Sequence, residues 1–386
     1  MNKRIFATLF FSLFVVITGV GIVVPLLPVY AHSLGASGIY ISLIFGSFSI
    51  SRTLFLPYFG RASDMKGRKP FIITGLLSYA IISVAFIMSS DITSLIIIRF
   101  FQGIASAMIM PVVQAYVGDI TPIGKEGFMM SLFNLSVFGS LSLGPVIGGI
   151  VNDYFDLQTT FAAMGIFSLI SFFFALILLP PTHQEKSIDH QRMPVKWKVL
   201  LKSQTLFGLF AFRLTYTTCI GIIWSFLPVY ADSMFHLSSS RIGILVMLGV
   251  FINGLLQIPM GYLADFVNRR FLVLCGGLIL TYAVFSYHIA TGFMDLFISS
   301  VLFGIGGGIS NPSIMAMTVV KGHQTQSMGS IISILTMAHS LGMLIGSLVA
   351  GIIMDCFILP LAFSVGSGFM FLGLLLFIIL TINKEQ

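Results

Sequence analysis

Long apolar runs alternate with short polar breaks along the whole chain. They lie near 5–31, 38–59, 70–90, 93–118, 127–152 and 157–180, then near 204–231, 240–262, 271–290, 293–320, 326–354 and 359–382. Roughly 20 apolar residues carry a helix across a bilayer, whereas a barrel strand needs about 10 in strict alternation. The runs have the helical length and lack the alternation. They predict an all-α membrane protein of twelve transmembrane helices. The first run follows Lys3 and Arg4, as a signal peptide would. It is too long for a signal core of about 7–15 residues and contains prolines, so it reads as a permanent helix.

The pattern is also written twice. LPVYA occurs at Leu27–Ala31 and again at Leu227–Ala231, 200 residues later. Gly60, Asp64 and Arg68 recur as Gly261, Asp265 and Arg269 at an offset of 201, and Gly103 and Pro111 recur as Gly304 and Pro312 at the same offset. GPVIGGIVNDYF aligns with GSLVAGIIMDCF, so that Gly144, Gly149, Asp153 and Phe155 meet Gly346, Gly351, Asp355 and Phe357. Six spans followed by six in the same order form a parallel repeat: a bundle over 1–180, a polar basic linker over 181–203, and a second bundle over 204–386. Transporters with this build bind substrate near the midplane and alternate access to it by rocking.

Composition agrees with lipid as the solvent: 57% of residues are hydrophobic, 9% are charged, and mean hydropathy is +1.03. The net charge of +7 is a topology signal and does not point to nucleic acid. With the N-terminus placed inside, 16 of the 20 Lys and Arg fall in cytoplasmic segments, as the positive-inside rule requires. The expected location is the cell membrane, with both termini cytoplasmic. Cys219, Cys275 and Cys356 are too few and too scattered for a disulfide framework or a zinc site. No phosphate-binding loop and no H-E-x-x-H pair is present, so no cofactor, metal or enzymatic activity is expected. A gradient, or the substrate itself, must drive transport.

Four motifs carry a resemblance that spans nearly the whole chain. GRASDMKGRK, at Gly60–Lys69, keeps Gly60, Asp64, Gly67, Arg68 and Lys69 of the pattern G-x-L-a-D-r-x-G-r-k, while Ala62 and Met65 depart from it. The fourth span carries Leu95, Arg99, Gln102 and Gly103. The fifth carries Gly144-Pro145-Val146-Ile147-Gly148-Gly149, with Ser140 where a leading Gly is usual. The first span carries Gly19, Pro25 and Pro28. In these the chain resembles the major facilitator superfamily, in particular its twelve-span drug:proton antiporter branch. The resemblance implies multidrug efflux by antiport, carried out by a monomer. It also implies that the 60–69 loop is a latch. Asp64 and Arg68 would pair with Asp119 and with the start of the eleventh span near Ser327, where a helix dipole favours a carboxylate. Asp265 and Arg269 repeat half of that latch. A solvated basic turn is the plainer alternative.

The interior charges depart from that family. Arg52, Arg99 and Arg213 lie within predicted spans, where a charge costs about 2.5–3.5 kcal/mol on insertion scales. All 13 acids lie in loops or near helix ends. A cavity with three cations and no anion should favour anionic, zwitterionic or neutral amphiphiles. Each arginine is otherwise scaffold, satisfying backbone carbonyls or bridging helices. Helical spacing adds Tyr216 and Trp224 on the face of Arg213, Asn253 and Gln257 one turn apart, and Asn134 and Asn311. His339 is the one mid-helix histidine. It titrates near neutral pH when unperturbed, which makes protons a candidate coupling partner. The leading expectation is a secondary exporter of amphipathic small molecules. The alternatives are a dedicated carrier of an anionic metabolite, siderophore or lysolipid, and a non-transporting membrane sensor.

The orientation is directly testable. Single cysteines at Ser187 and Asn383, in a chain freed of its own three, should be shielded from an impermeant thiol reagent in intact cells. Labelling of either would reverse the orientation.

Overall fold

The computed structural model describes residues 3–121, 126–180, 203–324 and 328–382. These form thirteen helices: α1 (Lys3–Val23), α2 (Leu26–Ser33), α3 (Gly38–Lys66), α4 (Arg68–Met88), α5 (Ile92–Ile120), α6 (Glu126–Tyr154), α7 (Leu157–Leu178), α8 (Gln204–Phe235), α9 (Ser239–Phe266), α10 (Arg269–His288), α11 (Phe293–Gln324), α12 (Met328–Cys356) and α13 (Pro360–Ile382). Among the described residues, twelve segments are long and apolar enough to cross a membrane, α1 and α2 together making the first. Large apolar side chains such as Phe173, Ile177, Tyr282 and Ile379 remain exposed. In lipid that is the comfortable place for them.

The first span is the one that differs from its expected outline. Pro25 caps α2, and the chain turns between Val23 and Leu26. The matching α8 runs unbroken through Pro228 for 32 residues. A proline within a helix removes one donor and crowds the preceding turn. In α2, Pro28 falls in the first turn, where no intrahelical donor is needed. Ser225 stands where the repeat would put the second copy of Pro25, so α8 has one disturbance to absorb instead of two.

The repeat governs packing. α1 lies against α6 and α7, and α4 against α5 and α7. In the second half α8 lies against α12 and α13, and α10 against α11 and α13. Matching glycines make matching contacts. A Cβ on Gly103 would strike Ser51 and the Phe48 carbonyl of α3; one on Gly304 would strike Ile252 and the Gly249 carbonyl of α9. Gly144 and Gly148 press against the backbone of α1, and Gly346 against that of α8 at Thr218. Lipid tails are as apolar as leucine, so close packing of small residues is a main source of helix association here.

Many hydroxyls are satisfied locally or across helices, while Ser12, Ser89 and Ser225 Oγ are buried without a partner among the described residues. Thr18 Oγ1 donates to the Phe14 carbonyl one turn back at 2.8 Å, and Ser171 Oγ donates to the Ser12 carbonyl of α1 at 3.0 Å. At the loops, Asp91 accepts from Ser94 N–H at 2.9 Å and Asp156 from Thr159 N–H at 2.6 Å. The Ser94 N–H bond holds the Asp91 carboxyl below the usual aspartate range, and the Thr159 side chain, then its N–H, does so for Asp156.

The chain divides into two compact units. One comprises Met1–Ala36, Leu43–His190 and Leu237–Met247; the other comprises Ser37–Ser42, Gln191–His236 and Leu248–Gln386. The first turns of α3 and α9 are thus exchanged between the sequence halves.

Glycine substitutions should sort by this geometry. A Cβ on Gly148 meets the Ile22 backbone, whereas one on Gly60 meets nothing within 4 Å. Overpacking costs about 1–3 kcal/mol. Gly148→Val should therefore lower the yield of monodisperse protein and its Tm, while Gly60→Ala leaves both unchanged.

Candidate functional site

Two sets of buried and half-buried polar groups occupy the spans, one in each compact unit. In the first unit, Arg99 extends from α5 towards α3 and is only 6% exposed. Its Nη1 donates to Gln102 Oε1 at 2.8 Å and its Nε to the Ile44 carbonyl at 3.3 Å. The guanidinium carbon lies 5.1 Å from the Phe45 ring centre and 4.5 Å from that of Phe48. Aromatic faces are electron-rich and attract a cation within about 6 Å. Amide, carbonyl and two rings thus take up this charge without an acid. Arg52, half-buried on α3, has a buried Nε with no hydrogen-bond acceptor among the described residues.

The second unit holds a connected cluster. Arg213 Nη1 donates to Asn311 Oδ1 at 2.7 Å, and Nη2 lies 3.5 Å from His339 Nδ1. The Asn311 amide donates to the Tyr216 hydroxyl at 3.4 Å, and Asn253 Nδ2 donates to the same oxygen at 2.9 Å. Gln257 Nε2 donates in turn to Asn253 Oδ1 at 3.3 Å. Four helices supply these six side chains: α8 gives Arg213 and Tyr216, α9 gives Asn253 and Gln257, α11 gives Asn311, and α12 gives His339.

Directionality follows from the donor inventory. A guanidinium only donates, so Asn311 must turn its oxygen to Arg213 and its amide to Tyr216. A hydrogen bond across the 3.5 Å contact needs His339 Nδ1 as the acceptor, the tautomer with its proton on Nε2. Arg213 is a cation held by neutral groups. Arg68 does pair with an acid, Asp119, far along the chain from this cluster.

Six of the ten substrate candidates from the sequence meet in this cluster. Arg52 and Arg99 belong to the other unit. Asn134 is exposed on α6 and Trp224 is half-buried on α8; neither joins the cluster's hydrogen bonds. One member escaped the sequence reading. A Cβ on Gly307 would lie 2.6 Å from both Asn253 Nδ2 and Tyr216 Oη. The Gly306-Gly307-Gly308 run in α11 was the available signal.

The 60–69 segment, expected as a loop, is instead the last two turns of α3 and the start of α4 joined at Gly67, and it shows part of the expected latch. Arg68 Nε donates to Asp119 Oδ2 at 3.0 Å, and Nη1 to Ser63 Oγ at 2.7 Å. The Asp119 side chain is 53% exposed, and such pairs contribute about 0–1 kcal/mol. Gly67 has φ of 87°, a region that costs other residues roughly 1–2 kcal/mol. Lys69 donates to the Leu176 and Leu179 carbonyls at 2.9 and 2.5 Å, closing the C-terminal end of α7 as a cation should. In the repeat, Arg269 Nε donates to the Ala264 carbonyl at 3.0 Å. The side chains of Asp64 and Asp265, and Ser327, lie outside the described residues.

Twelve spans in two copies of one six-helix plan, with a buried polar cluster in the spans and the 60–69 signature between two of them, define a membrane transporter. The sequence profile of the Major Facilitator Superfamily matches residues 9–318 and 217–386, and the chain belongs to that family. It is 26% identical over 388 residues to the quinolone resistance protein NorA of Staphylococcus aureus, covering 95% of this chain and 94% of NorA. It is also 26% identical over 359 residues to an uncharacterised MFS-type transporter of Methanocaldococcus jannaschii, covering 92% of each. Among solved structures, the nucleoside transporter NupG superposes with a TM-score of 0.81 at 14% identity, over 98% of this chain and all of that one. A bacterial homologue of the human lysosomal transporter Spinster also gives 0.81, at 12% identity, over 99% of this chain and 97% of its own. These two likenesses concern the fold.

The cluster's centre can be tested without a substrate. Tyr216→Phe leaves the Asn253 and Asn311 amides without their shared acceptor, a cost of about 1–3 kcal/mol for buried groups. Its Tm should fall, and Gly307→Ala should lower it similarly by displacing the same pair. Tyr216→Phe combined with Asn253→Leu should recover part of the loss. Additive losses would show that the pair is not coupled.

Proposed function

We propose that the protein is a secondary active exporter of amphipathic small molecules bearing an anionic or zwitterionic group, working by alternating access. The observation that carries this reading is Arg213: a cation within a membrane span, ordered by the neutral Asn311, His339 and Tyr216, with no carboxylate hydrogen-bonded to it among the described residues. A bound carboxylate or phosphate would supply the missing charge, and a fork-to-fork contact with guanidinium is the strong kind. Similarity to a quinolone resistance protein supports the export of drug-like molecules. Arg99 already has an amide, a carbonyl and two rings, which favours its scaffold role over substrate contact.

Proton coupling falls to His339 in this reading. Its ring is neutral while it accepts from Arg213. A proton on Nδ1 would place two cations in contact and break that arrangement. His339 is therefore a mid-span group whose protonation changes the shape of the cluster. A dedicated carrier of one anionic metabolite is the second reading, favoured by the ordered Gln257–Asn253–Tyr216 chain. A site built on fixed hydrogen bonds rejects a ligand lacking the matching group more strongly than an apolar wall does.

Transport of a matched anionic, neutral and cationic series in proteoliposomes separates the roles. Arg213→Ala should reduce transport of the anion about 10- to 100-fold more than that of the neutral analogue, the range expected for a hydrogen bond to a charged group. Arg213→Lys should fall between, since it keeps the charge and loses the fork. Arg99→Ala should harm all members alike. His339→Gln keeps an acceptor for Arg213 and loses the titration, so it should abolish acceleration by a pH gradient while preserving substrate exchange. Permanent cations as the best substrates would refute the charge argument.

A further inference from the structure

One mid-span guanidinium has no part in the function proposed above. Arg52 stands midway along the 29 residues of α3. It is half-buried, and its Nε is shut in without a hydrogen-bond partner among the described residues. A charge within a span is costly, and it is almost always paired or used. Arg99 on α5 is served by Gln102 Oε1, the Ile44 carbonyl and two phenylalanine rings. Arg52 has no such company. Along α3, α4 and α5 the acids are Asp64, Asp91 and Asp119, all at or just beyond helix ends.

The surroundings of Arg52 come from α4 and α5. A Cβ on Gly103 would lie 3.1 Å from the Arg52 backbone nitrogen, so α3 and α5 touch at this level. Ser106 follows one turn later on α5 and is buried. Tyr79, buried on α4, lies beside Ser106 and within electrostatic reach of both Arg52 and Arg99. All of these residues belong to the first compact unit.

The repeat supplies a comparison. At the offset of 201, Arg52 corresponds to Asn253 and Ser106 to Gly307. Asn253 Nδ2 donates to the Tyr216 hydroxyl at 2.9 Å, and Gly307 leaves room for both. At the offset of 200 that relates the LPVYA segments, the first-half counterpart of Tyr216 is Val16, whose side chain offers no acceptor. Position 253 thus carries a neutral amide with an internal partner. Position 52 carries a cation whose Nε has none among the described residues. What the first unit needs at this place is an acceptor bearing one negative charge.

We infer that Arg52, Tyr79 and Ser106 form a binding site for a monoanionic carboxylate within the first bundle. A guanidinium only donates, and its Nε–H and one outer N–H make a side-on fork for the two carboxylate oxygens. The half-buried side chain keeps an open side from which the carboxylate meets the outer N–H groups, and the Nε–H is the second prong. The Tyr79 and Ser106 hydroxyls supply donors for the remaining lone pairs. One negative charge is the right number, because a dianion would exchange an unpaired cation for an unpaired anion, which is costly in the same surroundings. The site does not rest on the role given to Arg213.

Equilibrium binding of radiolabelled benzoate to the purified protein tests the site. It is measured on the parent and on Arg213→Ala, so that this site and the one proposed above fail separately. Arg213→Ala should retain saturable benzoate binding. Adding Arg52→Gln should weaken that binding about tenfold or more, the scale of a hydrogen bond to a charged group. Arg52→Lys, which keeps the charge and loses the fork, should fall between. Benzamide, a neutral analogue of the same shape, should not displace benzoate, and chloride, which cannot engage two prongs, should compete about tenfold less well. Ser106→Asp brings an acid to the guanidinium from within the chain. It should abolish benzoate binding and raise Tm, and it keeps the test decisive where Arg52→Gln fails to fold. Absence of saturable binding to Arg213→Ala overturns the proposal, as does binding that Arg52→Gln leaves unchanged. Displacement by benzamide or chloride as effective as that by benzoate itself also overturns it. So does a Ser106→Asp protein that binds benzoate like its parent.

Discussion

In hydrocarbon no water stands ready to receive an unpaired donor, and apolar burial no longer drives helices together. This protein depends on that constraint throughout. Its helices associate where glycine removes a side chain, at Gly103 against α3 and Gly148 against α1, and in the second half at Gly304 against α9 and Gly346 against α8. The hydroxyls of Thr18 and Ser171 find carbonyls within or across helices. Only against that background does Arg213 stand out. Among the described residues its hydrogen-bond partners are an amide and an imidazole, with no acid.

Much of this was legible in the sequence because a repeat and a helical period are both counting patterns. The shared offset linked Gly103 to Gly304 before either was seen to press on a neighbouring helix at Phe48 or Gly249. Spacing along one face brought Arg213 to Tyr216, and one turn brought Asn253 to Gln257. Their meeting with Asn311 and His339 depended on three other helices, which spacing within one helix does not reach. The rings that shield Arg99 were hidden in plain view: Phe45 and Phe48 are two of 38 phenylalanines, and nothing local marks them. Asp153 and Asp355 were visible as repeated acids near helix ends. Their partners were not visible, because the N–H groups of Ser239 and Gly38 that they accept from start helices 86 and 317 residues away in sequence. Asn134 was chosen for its residue type and proves exposed.

The two halves also divide the chemistry unequally. The repeat sets Arg52 opposite Asn253, a cation against an amide. In the first half the spans carry two guanidiniums, one of them folded into aromatic surroundings. In the second half they carry one guanidinium at the end of a hydrogen-bonded chain. Duplication supplied the frame twice, and the charged groups have since specialised on it.

A similar divergence separates the two LPVYA segments. In the first half the segment belongs to a short rod, α2, set off from α1 by Pro25; in the second it is the interior of the 32-residue α8. A beam with a joint near one end and a continuous beam of the same outline bear load differently. Bending strain on the first collects at the joint between Val23 and Leu26, whereas on the second it spreads along the whole length. The copies therefore share a sequence plan while differing in compliance, so two halves written from one pattern need not flex alike.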